Sequence, residues 1–106
     1  MDREDRVFRP SIASMDGRAG DLVAEWLQPG GVHDQAFPYT LQGCWAAQPS
    51  VLLAWLKRHE PESYHRIGKV MLCTDFLKFC LTGEHTTDFS IISGSSLLES
   101  AKLGYS

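Results

Sequence analysis

Two prolines constrain this chain more than any other feature. Pro49 and Pro61 bracket the run "PSVLLAWLKRHEP", and between them Leu52, Trp55, Leu56 and His59 recur at i, i+3, i+4 and i+7. That period predicts a helix with one apolar face, and it sets Lys57, Arg58 and Glu60 towards the wet side. Proline is favoured in the first helical turn, where its missing N–H would be unbonded anyway. A proline further in breaks the ladder. The expectation is a helix opening at Pro49, a break at Pro61, and a second short helix over "PESYHRI".

The flanks read less sharply. "SIASMD" carries Ile12 and Met15 among small residues, a weak strand signal that stops at Asp16-Gly17. Leu22, Val23, Trp26 and Leu27 have helical spacing, so Arg18–Gln28 is expected to be a helix capped by Asp16 and ended by "PGG". Residues 32–48 hold Phe37, Tyr39 and Trp45 but show no period, which predicts a long irregular loop. "KVML" reads as a buried strand or an extended link. Thr74 is the expected N-cap of a helix over "DFLKFCL", with Phe76, Leu77, Cys80 and Leu81 on one side and Gly83 as its C-cap. Asp88 is expected to cap a short turn over "FSIIS", which Gly94 releases.

At 106 residues the chain is long enough for one domain with a modest core. A hydrophobic content of 43% argues against disorder over its whole length. The net charge of −3, with no cluster of Lys and Arg, argues against nucleic acid as a partner. No apolar run approaches the roughly 20 residues that cross a bilayer, and the charged start "MDREDRVFRP" does not read as a secretory leader. Cys44, Cys73 and Cys80 are odd in number and form no C-x-x-C pair. Buried free thiols in a reducing cytoplasm are the expectation.

Familiar chemistry finds little support. His33, His59, His65 and His85 make no i, i+4 ligand pair, so no metal site is expected. "SGSS" (Ser93–Ser96) lacks the spaced glycines of a nucleophile elbow, and neither G-x-x-x-x-G-K-[ST] nor G-x-G-x-x-G occurs. Its hydroxyls are read as satisfying backbone groups in tight turns. Asp16, Asp75 and Asp88 are more often caps than catalysts. The residues by themselves give a mostly helical α/β domain.

The order of four segments adds to this. "SMDGRA" (Ser14–Ala19), "PSVLLAWLKRHEPESYHRIGKVML" (Pro49–Leu72), "CTDFLKFCLTGE" (Cys73–Glu84) and "TDFSIISGSSLLE" (Thr87–Glu99) follow one another along the chain. Their sequence and spacing resemble the FGGY family of sugar and polyol kinases, nearest its xylulose and L-xylulose kinase branch. Each motif is weak alone, and the ordered set is specific. Three positions depart from the family pattern: Leu52 stands where a Lys is usual, Ala47 where an aromatic or another small residue is usual, and Ser14 where many members have Trp.

The resemblance implies a partial domain over residues 1–106, a middle slice of an actin-like (ribonuclease H-like) N-terminal domain. It implies transfer of the ATP γ-phosphate to a sugar or polyol hydroxyl by the intact enzyme, with Mg²⁺. The catalytic aspartate and the ATP-binding C-terminal domain would lie outside this segment, which on that reading binds no cofactor and is inactive alone. The segment would line part of the sugar cleft. Ser14 would donate to a sugar hydroxyl, and Trp45 would stack on a sugar's apolar face or fill core. Gln48 would bond a hydroxyl or sit exposed. Asp16 and Arg18 would bind sugar or brace their turn, bracing being favoured. The rival reading is a self-standing, non-catalytic helical module that associates through uncovered apolar surface.

Overall fold

A computed structural model describes residues 1–88, 92–95, 97–99 and 104–105. Five helices follow one another: α1 (Gly20–Trp26), α2 (Val32–Thr40), α3 (Pro49–His59), α4 (Pro61–Arg66) and α5 (Cys73–Thr82). A 3₁₀ turn, Ser93–Ser95, leads to a minimal antiparallel ladder in which β1 (Leu98–Glu99) pairs with β2 (Gly104–Tyr105).

The two prolines act as their positions predict. Pro49 and Pro61 open α3 and α4 at the first helical positions. Lys57, Arg58 and His59 close α3, where cations suit the negative end of the helix dipole. α3 packs against α4 and α1, and Val51 and Leu56 are its buried residues. Val51 joins Ala19 and Leu22 in the core cluster, with Val23, Trp26, Cys44, Leu52, Ala54 and Trp55 packed around it. His59 stays exposed, its ring stacked on Trp55 at 4.8 Å.

Several local expectations are corrected. The segment around Ile12 is irregular and turns at Ser14-Met15, with Met15 94% exposed. A strand needs a neighbour to take its backbone bonds, and none of the described strands lies there. α1 is shorter than Arg18–Gln28, and its N-cap is Ala19 without a side-chain cap. Asp16 is occupied elsewhere, as described below. Residues 32–40, read as loop, form α2 despite Pro38 inside it. The Asp34 carboxylate accepts the Gly30 N–H at 2.8 Å and secures the start of that helix. Leu41 ends it in the left-handed region at φ 55°.

Lys69–Leu72 is extended but not buried, with Val70 exposed. α5 begins one residue before Thr74, at Cys73. Leu72 is its N-cap, and the Leu72 N–H donates to Asp75 at 3.3 Å. Gly83 closes α5 at φ 74°, as its position predicts. Phe76, Leu77, Cys80 and Leu81 do share one side of α5, and that side faces out, with Leu81 78% exposed. The cysteines are unpaired, but Cys73 and Cys80 are exposed and only Cys44 is partly covered. Of the expected turn over "FSIIS", residues 89–91 lie outside the described residues, and the Ile92 N–H beyond them donates to the Asp88 carbonyl at 3.0 Å.

The polar start of the chain is anchored. The backbone N–H groups of Gly68 and Lys69 donate to the Met1 carbonyl at 2.9 and 3.1 Å, and the Met1 ammonium donates to the Lys69 carbonyl. A Cβ on Gly68 would stand 2.6 Å from the Arg3 nitrogen, so the crossing needs glycine. Asp5 adds an ion pair to Lys69, and its carboxylate lies 3.0 Å from His85 Nε2.

Candidate sugar-facing site

The predicted site residues fall into two groups along the chain, each attached to α3. The first is the turn leading into α1. Asp16 Oδ1 accepts the Arg18 backbone N–H at 2.9 Å and Arg18 Nε at 2.8 Å. Asp16 Oδ2 accepts Arg18 Nη2 at 2.8 Å. This bidentate fork is the geometry guanidinium and carboxylate favour. It holds the Asp16 carboxyl at about 2, against an ordinary 3.8, chiefly through the Arg18 side-chain bonds and then its backbone N–H. The Arg18 guanidinium lies over the Trp55 ring at 5.2 Å, which ties the turn to α3. Ser14, at the head of the turn, is exposed.

The second group lies on the connection from α2 to α3. Trp45 is 44% exposed there, so much of its ring remains open. Gln48 is 1% exposed, at the position just before Pro49. Its Nε2 donates to two backbone carbonyls, Gly43 at 3.0 Å and Gly94 at 3.2 Å. Its backbone N–H donates to the Trp45 carbonyl at 3.1 Å, and its own carbonyl accepts from Leu52 at 2.9 Å. Beside it, Trp26, His33, Cys44 and Gln48 help line a cavity of about 20 Å³, room for one water. Burial there pushes the Cys44 thiol up from its ordinary pKa.

Among the described residues no hydrogen bond or ion pair joins the two groups. Both are fastened to the same support, Arg18 through Trp55 and Gln48 through the start of α3. Ser95 also belongs to this region, and it satisfies backbone groups in a tight turn, as expected of the "SGSS" hydroxyls. It is buried, donates through Oγ to the Ile92 carbonyl at 2.6 Å and accepts the Leu97 N–H at 3.1 Å. Its signal was the hydroxyl-rich "SGSS" run, where one serine among several could not be singled out.

Among the described residues no group of three His, Cys, Asp or Glu side chains is placed to hold a metal ion. The chain also has no phosphate-binding glycine motif. No described helix is long and apolar enough to cross a membrane.

Comparison with known proteins follows the same outline. The profile of the FGGY family of carbohydrate kinases, N-terminal domain, matches residues 1–106. A probable L-xylulose kinase of Pasteurella multocida is 43% identical over 97 residues, 92% of this chain and 20% of its own. The L-xylulose/3-keto-L-gulonate kinase of Escherichia coli is 42% identical over 97 residues, 92% of this chain and 19% of its own. The crystal structure of xylulose kinase from Rhodospirillum rubrum superposes with a TM-score of 0.88 at 30% identity, over 100% of this chain and 22% of that one. The chain therefore spans about a fifth of the length of the relatives it matches.

Proposed function

Because the chain belongs to the FGGY family of carbohydrate kinases, with their actin-like fold, we propose that it forms part of one wall of the sugar cleft in a xylulose-type kinase. The full-length protein would transfer the ATP γ-phosphate to a hydroxyl of a pentulose or related polyol. Such transfer depends on positioning and on charge stabilisation of the moving group. This segment contributes positioning on the sugar side, and no phosphoryl-transfer step is assigned to its residues.

Trp45 is partly exposed, and its indole would stack on the C–H face of a sugar ring or chain. Ser14 offers an exposed hydroxyl. Asp16 and Arg18 spend their strongest bonds on each other, so they brace the turn that carries Ser14. The match of the family's N-terminal domain over residues 1–106 supports this reading most. A cytoplasmic setting belongs to it, since three unpaired thiols suit a reducing compartment. The experiment is a phosphorylation assay of the full-length protein with ATP, Mg²⁺ and a panel of pentuloses and polyols. Turnover of L-xylulose or D-xylulose is the expected result, and none from the segment alone. A full-length protein that phosphorylates no member of the panel contradicts the reading.

One observation favours a second reading, association through apolar surface. Twelve large hydrophobic residues are exposed among the described residues, against four hydrophobic residues that are buried. Where such residues adjoin, as Phe76, Leu77 and Leu81 do along the exposed side of α5, they favour association. A defined oligomer with a cooperative unfolding transition would support a self-standing module, whereas a molten or aggregating chain would exclude it.

A further inference from the structure

We propose that Gln48 is a positioning residue, whose buried side-chain amide clamps the Trp45 loop to the 3₁₀ turn Ser93–Ser95 and so fixes the attitude of the Trp45 ring. The inference rests on the sugar-cleft reading for its consequence, but its geometry is independent of any ligand.

A primary amide carries two N–H donors on one nitrogen. Both are used here, and on parts of the chain far apart in sequence: one on Gly43, the other on Gly94. The side chain is 1% exposed, so water does not replace either bond. A buried amide N–H left without an acceptor is costly, which makes the fork hard to open. The first bond spans the loop from Gly43 to Gln48, with Trp45 between its ends. The Gln48 N–H to the Trp45 carbonyl is a second tie across the same loop. The other arm reaches Gly94, whose turn is held by Ser95 Oγ on Ile92 and Leu97.

The base of the clamp is firm. Gln48 is the N-cap of α3, and Val51 three residues on is fully buried in the core cluster. Trp45 itself is 44% exposed, so packing fixes its ring only in part and the loop backbone must do the rest. Stacking on a sugar needs the ring plane held before the ligand arrives, because ordering it at binding weakens affinity. Only a donor works at this position. An oxygen in place of Nε2 would face two carbonyl oxygens.

The test uses the full-length protein. In the parent, the side-chain amide protons of Gln48 exchange slowly with solvent by NMR; exchange as fast as that of an exposed glutamine overturns the clamp without any mutation. In Gln48→Leu and Gln48→Glu, Trp45 emission becomes more accessible to acrylamide, read as the difference from the same variants carrying Trp45→Phe. An unchanged Trp45 environment in both overturns the proposal. Kinetically, each Gln48 variant raises the sugar KM about tenfold and leaves the ATP KM within twofold. In a Trp45→Ala background the same Gln48 change has little further effect, the coupling expected of residues that act as a unit. Full additivity of the two substitutions overturns the positioning role. If no sugar is turned over, exchange and quenching still judge the clamp, and only the sugar-cleft reading fails.

Discussion

At the scale of single residues, Asp16 was read two ways, as a cap of α1 and as a brace paired with Arg18, and the structure decides between them. An acid before Gly-Arg at the start of an apolar period reads as a helix cap, yet Asp16 closes a fork with Arg18 and leaves α1 without a side-chain cap. A sequence shows that a carboxylate and a guanidinium are two residues apart, not which partner wins. The fork predicts a pH dependence. The folded Asp16 carboxyl titrates at about 2 and the unfolded one near 3.8. Between those values the unfolded state binds more protons, so the stabilisation is fully present above 3.8 and is lost as pH falls through about 2. Melting curves should show the parent above Asp16→Asn at neutral pH, with the gap closing near pH 2. A gap that does not change with pH counts against the pairing. The thiols give a second test. Cysteine count and spacing were enough to exclude a disulfide framework but not to place each thiol, because burial depends on which helix side meets the core. On this segment, a thiol reagent at neutral pH should modify exposed Cys73 and Cys80 well before Cys44, whose partial burial disfavours the thiolate. Equal rates at all three would contradict the placement.

At the scale of elements, the legible parts were those written in backbone chemistry. Pro49, Pro61 and Gly83 each act through φ or a missing donor, and each sits where the sequence puts it. The left-handed conformation at Gly83 predicts that Gly83→Ala destabilises by about 1 kcal/mol, with Gly83→Asn recovering part of the loss. Denaturation midpoints of the two variants test this, and an alanine variant as stable as the parent would refute it. α2 was hidden for the converse reason. Pro38 and the aromatics obscured its period, while Asp34 on the Gly30 N–H and Val32 with Ala36 were the signals available. The strand expected near Ile12 failed because a strand is a property of a pair. Its partner cannot be read from the run itself. The apolar side of α5 was read correctly as a stripe, but nothing in its period says whether protein or solvent lies against it.

At the scale of the whole molecule, the segment is looser than a self-contained domain of its mass. Its accessible surface is 6945 Å² at 11.8 kDa, where a compact monomer of that mass has about 5,900 Å². Its radius of gyration is 14.1 Å, against roughly 13 Å for a compact chain of this length. The described hydrophobic core amounts to Ala19, Leu22, Val51 and Leu56. A fold with this little core and an open α5 fits a segment that matches a fifth of its relatives' length. The ordered motifs carried the family, because they record a fold larger than this segment. The proposed site side chains were harder to read, since Trp45 is 44% exposed and Gln48, three residues on, only 1%. The most direct test of the sugar-wall account is calorimetric titration of L-xylulose into the full-length protein and its Trp45→Ala variant. The account predicts saturable binding by the parent and a Kd at least about tenfold weaker in the variant, near 1.4 kcal/mol, with the melting temperature unchanged. Equal affinity in the two proteins, or no pentulose bound by the parent, would contradict it.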